Sequence, residues 1–211
     1  MSQTETPDVL FLLATGCHHC PSVLETLNGL LKQGRIGRLE AINIVAHPEV
    51  AGEVGTRSVP WTRVGQFELE GALTPGELDQ WVARAAANSG VSDYFVECLG
   101  AQRPDKVIAW LDRQPENLVD LLELLSAEST PMAARIGVGV VMEQLEGDPR
   151  LRDVLPTLTA LCQSSEANIR ADAAHFLGLT RSPEAKRVLN TLLEDDHPDV
   201  REIAADSLKL V

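Results

Sequence analysis

The sequence predicts an α/β domain followed by an all-α domain of helical repeats, and three observations support this prediction. Apolar runs of strand length alternate with helical stripes over residues 1–88. Over residues 91–211 only helical stripes recur, separated by Pro, Gly and Ser. Within this second part a nine-residue pattern returns thirty-one residues later. We therefore predict two domains, 1–88 and 91–211.

The first half of the α/β domain shows two strand-helix pairs. Residues 9–13 form a continuous apolar run, which predicts a strand buried on both faces of a parallel sheet. Residues 23–31 carry Val and Leu at helical spacing, and Gly34 follows where this helix should stop. Residues 39–45 then predict a second strand, and residues 47–54 predict a short helix.

The second half of this domain predicts a hairpin and a closing helix. Residues 61–64 and 67–70 are strand-like and are joined by two residues only. Thr74 and Glu77 have the spacing of a capping box, in which each side chain bonds the other residue's backbone N–H at a helix start. The predicted element order is β-α-β-α-β-β-α.

The repeat in the helical domain carries an apolar-Arg pair, two Ala and then Leu. It begins at Ile169-Arg170 and again at Val200-Arg201, and a degenerate copy begins at Ala134-Arg135. Small residues let neighbouring helices approach closely, so stacked repeats can bury a common core. Over about residues 130–211 the chain resembles HEAT repeats, particularly the shorter kind found in bilin-lyase-like proteins. We expect the repeat arginines to pair with Asp or Glu, and Gly137 and Gly139 to mark close helix packing.

The candidate chemistry lies in Cys17-His18-His19-Cys20, after the first strand. Two thiols at this spacing near a helix start can close and reopen a disulfide. The helix dipole and the imidazoles of His18 and His19 should lower the pKa of Cys17, which makes it the nucleophile. Cys20, expected one turn inside the helix and more buried, would resolve the mixed disulfide.

Two other interpretations of this motif remain open. A CxxC pair can be half of a zinc site, and Cys17, Cys20 and one histidine could bind a soft metal transiently. Four ligands in four consecutive residues cannot all reach one tetrahedral ion, and no second motif of this kind is present to complete a site. We therefore expect no resident metal and no cofactor. Cys98 and Cys162 stand on apolar stripes and are expected to be inert core residues.

The element order, the CxxC pair and Arg57-Ser58-Val59-Pro60 together resemble the thioredoxin-glutaredoxin superfamily. The resemblance covers roughly residues 7–88. It implies that Pro60 follows a cis peptide bond and packs against the cysteines. It also implies that Ser58, Val59 and Pro60 border the substrate, with the backbone of Val59 pairing with a client peptide.

The chain departs from thioredoxins proper at three positions. Gly16 precedes the first cysteine in place of Trp, and Phe11 stands where thioredoxins carry a buried Asp. His19, just before the second cysteine, is similar to the strongly oxidising branch of the superfamily. The resemblance thus implies a more oxidising pair than thioredoxin's, while a glutathione-reduced compartment favours reductase or isomerase chemistry. Both directions of electron flow remain open.

Charge and composition limit the kinds of partner that the protein is expected to bind. The formal net charge of −13 disfavours nucleic acid and anionic membranes as partners. Without a basic start or a spanning apolar run, a cytoplasmic protein is expected. The sequence thus favours a thiol-disulfide oxidoreductase that acts on a protein client with a disulfide and is recharged by a thiol or reductase electron donor, with the repeats docking the client. The alternative is a non-catalytic adaptor whose cysteines are a redox sensor or vestigial.

Overall fold

A computed structural model describes residues 6–211 of the chain. The fold divides into two compact units that meet in sequence between Gly90 and Val91. The first unit is α/β and the second is helical.

The α/β unit contains one mixed four-stranded sheet. Its elements are β1 (Asp8–Leu13), α1 (Cys20–Lys32), β2 (Arg38–Asn43), α2 (Pro48–Glu53), β3 (Trp61–Val64), β4 (Phe67–Glu70) and α3 (Pro75–Ala86). The strand order is β2-β1-β3-β4, with β1 parallel to β2 and the other neighbours antiparallel. The expectation of a parallel sheet therefore holds for β1 and β2 only, because the two-residue loop between β3 and β4 forces an antiparallel pair.

Both faces of this sheet carry fully buried side chains. The cross-strand partners Phe11 and Thr62 share one face with Phe67, and the cross-strand partners Leu12 and Trp61 share the opposite face. The ring of Phe67 lies 5.0 Å from that of Trp81 on α3, measured between centroids. The opposite face is partly open, and Arg63 on β3 is exposed there. The prediction that β1 is buried on both faces holds at its centre, where Phe11 and Leu12 lie on opposite faces and are fully buried, whereas Leu10 and Leu13 are half-buried.

The start of α3 is fixed by the predicted capping box. The Glu77 backbone N–H donates to Thr74 Oγ1 at 3.3 Å, and the Thr74 N–H donates to the Glu77 carboxylate at 2.7 Å. These bonds satisfy amides that the first turn of a helix leaves without partners. The capping box is therefore confirmed, and it sets where the chain turns from the hairpin into α3.

The second unit is built from helices joined by short turns. They are α4 (Val91–Gly100), α5 (Pro104–Leu111), α6 (Leu118–Glu123), α7 (Met132–Gln144), α8 (Arg150–Asp153), α9 (Leu155–Leu161), α10 (Ala167–Leu179), α11 (Lys186–Leu192) and α12 (Pro198–Ser207). Residues 150–161 form two short helices, α8 and α9, and not one continuous helix. Pro156 lies in the first turn of α9, where its missing N–H costs no helical bond.

Two glycines allow the longer helices to pack closely. A Cβ atom at Gly137 of α7 would lie 2.8 Å from the Leu99 Cβ of α4. A Cβ atom at Gly178 of α10 would lie 2.8 Å from the Ser207 Cβ of α12. The packing role predicted for Gly137 is confirmed, whereas that for Gly139 is wrong, because a Cβ atom there would meet no neighbour within 4 Å.

The repeat arginines fasten each long helix to the turn that precedes it. Arg135 donates to the carbonyl of Ala127 at 3.0 Å, Arg170 to that of Ser164 at 3.0 Å and Arg201 to that of Asp195 at 2.7 Å. The expected pairing with an acidic side chain is found at Arg170, which also binds the Asp195 carboxylate at 2.8 Å. The shared task of the three arginines is thus to bind carbonyl oxygens that helix ends leave unsatisfied.

The Arg170–Asp195 pair gives a pH-dependent prediction. The Asp195 side chain is 8% exposed, and its hydrogen bonds from Arg170 hold the pKa of the carboxyl well below its ordinary value. A lowered pKa stabilises the fold above the unfolded pKa of about 3.9, and this contribution is lost as pH falls toward the folded pKa. Asp195→Asn should therefore lower the melting temperature at pH 7, and its deficit against wild type should shrink below about pH 4.

A matched control is available one residue away. Asp196 also contacts Arg170, at 2.6 Å, but its side chain is 90% exposed. Solvent-exposed pairs contribute little, so Asp196→Asn should leave the melting temperature nearly unchanged. A deficit for Asp195→Asn that is equally large at pH 3 and pH 7 would show that the charge of this carboxylate is not the cause.

Candidate functional site

The two cysteines of the motif lie where β1 gives way to α1. The chain leaves β1 through Thr15 and Gly16, whose φ of +85° is a left-handed conformation suited to glycine. The backbone N–H of Cys17 then donates to the Ala14 carbonyl at 3.1 Å. Cys20 is the first residue of α1, so its predicted position one turn inside the helix is wrong. Pro21 follows in the first turn, where it disrupts no helical bond.

Cys17 and Cys20 are joined as a disulfide, with their Cα atoms 5.5 Å apart. The two sulfurs differ in their surroundings, because Cys17 is half-buried whereas Cys20 is 4% exposed. An incoming thiol or disulfide can reach Cys17 far more easily than Cys20. The arrangement therefore suits Cys17 for attack on another molecule and Cys20 for attack on Cys17.

A backbone amide is directed at the Cys17 sulfur. The N–H of Cys20 donates to Cys17 Sγ at 3.2 Å. First-turn amides have no partner within the helix, and they carry the positive end of its dipole. A thiolate formed at Cys17 on reduction would be stabilised by this amide and by the helix start.

The two histidines lie between the sulfurs in sequence and face solvent. His19 occupies the N-cap position of α1, and both His18 and His19 are exposed. Their exposure leaves both imidazoles accessible to solvent and to an approaching molecule.

The loop that carries Ser58, Val59 and Pro60 reaches the same end of the sheet. Trp61 pairs with Leu12, so Pro60 lies level with the end of β1, where the chain departs toward Cys17. The Val59–Pro60 peptide bond is cis. Pro60 is buried and its carbonyl accepts from the Gly71 N–H at 2.9 Å, whereas Ser58 is exposed and Val59 half-buried.

Sequence reasoning did not single out two residues that fix this region. Thr56 is buried, and its Oγ1 accepts from the Ser58 N–H at 3.3 Å and donates to the Ser58 carbonyl at 3.1 Å. Asn43, at the end of β2, donates to Thr15 Oγ1 at 2.9 Å and so holds the turn before Cys17. A threonine two residues before a serine and an asparagine ending a strand are the local signals that could have indicated them.

The other two cysteines, Cys98 and Cys162, are not suited to thiol-disulfide exchange. Both Cys98 and Cys162 are buried and free. Burial raises the pKa of Cys98 to about 11 and that of Cys162 to about 12, with the carboxylate of Asp195 adding to the effect at Cys162. The reactive species is the thiolate, which is nearly absent from these two residues at neutral pH.

The described part of the chain offers no cluster of metal ligands and no helix able to cross a membrane. Among residues 6–211, three or more His, Cys, Asp or Glu side chains nowhere come together in a way that could hold a metal ion. Within those residues, every helix is too short or too polar to cross a membrane.

Part of the second unit is similar to a known repeat family. A family model of HEAT repeats matches residues 118–209, which include α6 to α12. The predicted HEAT-like repeats are therefore confirmed, and they begin about twelve residues earlier than expected. Residues 91–117, with α4 and α5, lie outside the match. A comparison with curated proteins found no match to the chain.

Proposed function

We propose that this chain is a thiol-disulfide oxidoreductase, a reductase or isomerase, whose thioredoxin-like first unit acts on a protein client. The observation that carries the proposal is the asymmetric Cys17–Cys20 pair, with an amide directed at the more accessible sulfur. The strand order β2-β1-β3-β4 and the proline loop at the same end of the sheet support a thioredoxin-like assignment. The cysteine usage suits a cytoplasmic setting, where thiols are kept reduced.

The reaction we propose begins from the reduced pair. The Cys17 thiolate attacks one sulfur of a client disulfide, which breaks that bond, forms a Cys17–client mixed disulfide and releases the client's second thiolate to take up a proton. Cys20 then loses its proton, with an exposed histidine or water as acceptor, and attacks Cys17 Sγ. The client leaves as a thiol and the Cys17–Cys20 disulfide forms, so the client gains the two electrons that the pair loses. A thiol or reductase electron donor returns them.

The HEAT-like repeats have the complementary task in this proposal. Stacked helices present a long surface, whereas a thioredoxin-like unit by itself contacts only a short extended peptide. A client held by the repeats would meet Cys17 at a raised effective concentration. The repeat unit therefore selects the client and the cysteine pair reacts with it.

A second candidate function is a non-catalytic adaptor, and the match to HEAT repeats favours it. HEAT-like repeats form a scaffold for protein interaction whether or not the cysteines react. In that case Cys17 and Cys20 would sense the redox state or have no role. The adaptor would keep its partners when Cys17 is replaced, whereas the enzyme would lose turnover.

Trapping the mixed disulfide tests the proposal. Cys20→Ser removes the resolving sulfur, so we expect a client to accumulate on Cys17 as a covalent complex that dithiothreitol releases and mass spectrometry identifies. The matched control is the double variant Cys17→Ser, Cys20→Ser, which should capture nothing. If both variants give the same adducts, or neither gives any, the oxidoreductase proposal fails and the adaptor is favoured.

A further inference from the structure

Helix α7 carries an exposed apolar ridge. Met132, Ile136 and Val140 recur every four residues, so they line one face of the helix. Met132 is 71% exposed and Ile136 is 63% exposed, and Val140 is exposed as well. Single exposed apolar side chains are ordinary, whereas these three form a row on one face of a single helix.

The repeat register shows what the neighbouring helices present at the same positions. The repeats align at Arg135, Arg170 and Arg201. Counting from these arginines gives the positions on α10 and α12 that are equivalent to the ridge. The ridge residues correspond to Ala167, Ala171 and His175 on α10 and to Pro198, Glu202 and Asp206 on α12. At these positions α10 carries two alanines and a histidine, and α12 carries a proline and two acidic residues.

Exposed acidic side chains lie on all three helices. The Glu143 carboxylate on α7 lies 3.6 Å from Nε2 of His175 on α10. Asp172 and Glu202 are exposed on α10 and α12. Partial burial raises the pKa of Asp172, against the opposing charges of His175 and Arg135. A cation supplied by a partner would stabilise that carboxylate.

The arginines of these three helices are hydrogen-bonded to carbonyl oxygens of the preceding turns. The arginines of α7 and α10 are Arg135 and Arg170, and both are directed to the turns preceding their helices. Arg201 of α12 is likewise bonded to turn carbonyls. Lys209 pairs with Asp206 at 2.6 Å, which leaves Glu202 as the acidic ridge residue of α12 open to a partner.

We propose that this face, formed by Met132, Ile136, Val140, Asp172 and Glu202 and called here the α7–α12 face, binds a basic amphipathic helix of a partner protein. The ridge extends from Met132 to Val140, nine residues with a rise of about 12 Å, which matches slightly more than two turns of a facing helix. Apolar residues of that helix at four-residue spacing pack on the ridge, and its Lys or Arg side chains reach Asp172 and Glu202. This is helix-in-groove recognition with complementary charge. It supplies a docking surface for the proposed client but does not depend on cysteine chemistry.

A designed peptide probes the α7–α12 face in the full-length protein. The probe is a labelled helical peptide of about 16 residues with Leu at four-residue spacing and Lys beside each Leu, and its affinity is measured by fluorescence anisotropy. Ile136→Ser should weaken binding about tenfold or more because a central apolar contact is lost. Glu202→Lys should weaken it and reduce its salt dependence. Val119→Ser, at an exposed apolar position on α6, is the matched control and should bind as wild type does.

Three results would overturn the proposal. The first is equal binding of a peptide with every Lys replaced by Glu, and the second is equal weakening by Ile136→Ser and Val119→Ser. The third is dimerisation of the wild type, measured by sedimentation, that Ile136→Ser abolishes, because the face would then serve a second copy of the chain. The Cys17→Ser, Cys20→Ser variant should bind the probe as wild type does, so failure of docking and failure of the redox proposal can be told apart. Circular dichroism confirms that each variant is folded.

Discussion

Replacing Cys17 with serine should reduce the turnover of a small disulfide, such as glutathione disulfide, to the uncatalysed rate. The accessible sulfur that receives the Cys20 amide is lost, and a serine hydroxyl at neutral pH is far too weakly acidic to replace a thiolate. Cys20 cannot substitute for it, since its sulfur is buried beneath the helix start. The measurement is the rate of disulfide reduction with a coupled electron donor, over a range of enzyme concentrations.

A cysteine-to-serine change at a different site tests whether the loss of turnover is specific to Cys17. Cys98→Ser removes a buried thiol whose pKa is raised to about 11, so it should leave the rate unchanged. Cys20→Ser should still react once through Cys17 but should not turn over, because the resolving sulfur is gone. Turnover by Cys17→Ser that matches wild type would place any redox activity outside the Cys17–Cys20 pair.

Local signals in the sequence predicted the elements whose geometry is decided locally. The strands of the hairpin, Trp61–Val64 and Phe67–Glu70, have the predicted bounds residue for residue. A two-residue loop fixes the pairing of the strands on either side of it. The Thr74 cap was also predictable, because its partners lie within one helical turn.

Features that depend on distant residues were less predictable. The start of α1 at Cys20 follows from how the turn after β1 is held, and Asn43 holds that turn from a different strand. The arginine contacts with turn carbonyls likewise depend on where each turn comes to lie against the next helix. A repeated Arg in the sequence shows that a contact recurs, but the acceptor can be a carbonyl that no sequence pattern identifies.

The residues of the candidate site likewise include some that a local sequence pattern predicts and some that depend on the fold. The Cys17–Cys20 pair could be found from spacing alone, and the expectation that Cys20 is more buried than Cys17 is confirmed. Thr56 was not predicted, because its role depends on hydrogen bonds to both the N–H and the carbonyl of Ser58. Hydrogen bonds of this kind join residues that are close in sequence. The same residue pattern occurs at many places where no such bond forms, so the surrounding fold decides which of them form.

Replacing Trp110 with alanine should destabilise the helical unit by about 3–5 kcal/mol, the range for deleting a buried large aromatic side chain. Trp110 is buried, and its ring centroid lies 5.1 Å from that of Tyr94 and 6.0 Å from that of Phe95. Its Nε1 donates to Asn117 Oδ1 at 2.8 Å, so alanine also removes the donor to that amide oxygen. The aromatic cluster lies in residues 91–117, ahead of the matched repeats, and solenoids need such an end to cover their first repeat.

Urea unfolding followed by helical circular dichroism measures this loss, with Trp110→Phe as the control. Phenylalanine keeps an aromatic ring in the cluster and loses the hydrogen bond, so its cost should be nearer about 1 kcal/mol. The two units are compact separately, so disulfide reduction by the first unit should persist in Trp110→Ala at urea concentrations where the helical signal is already lost. Simultaneous loss of both signals would contradict this, because it would mean that the α/β unit depends on the helical unit for its own stability. Disulfide reduction that persists after the helical unit has unfolded would instead show that the cysteine pair needs only the α/β unit to react.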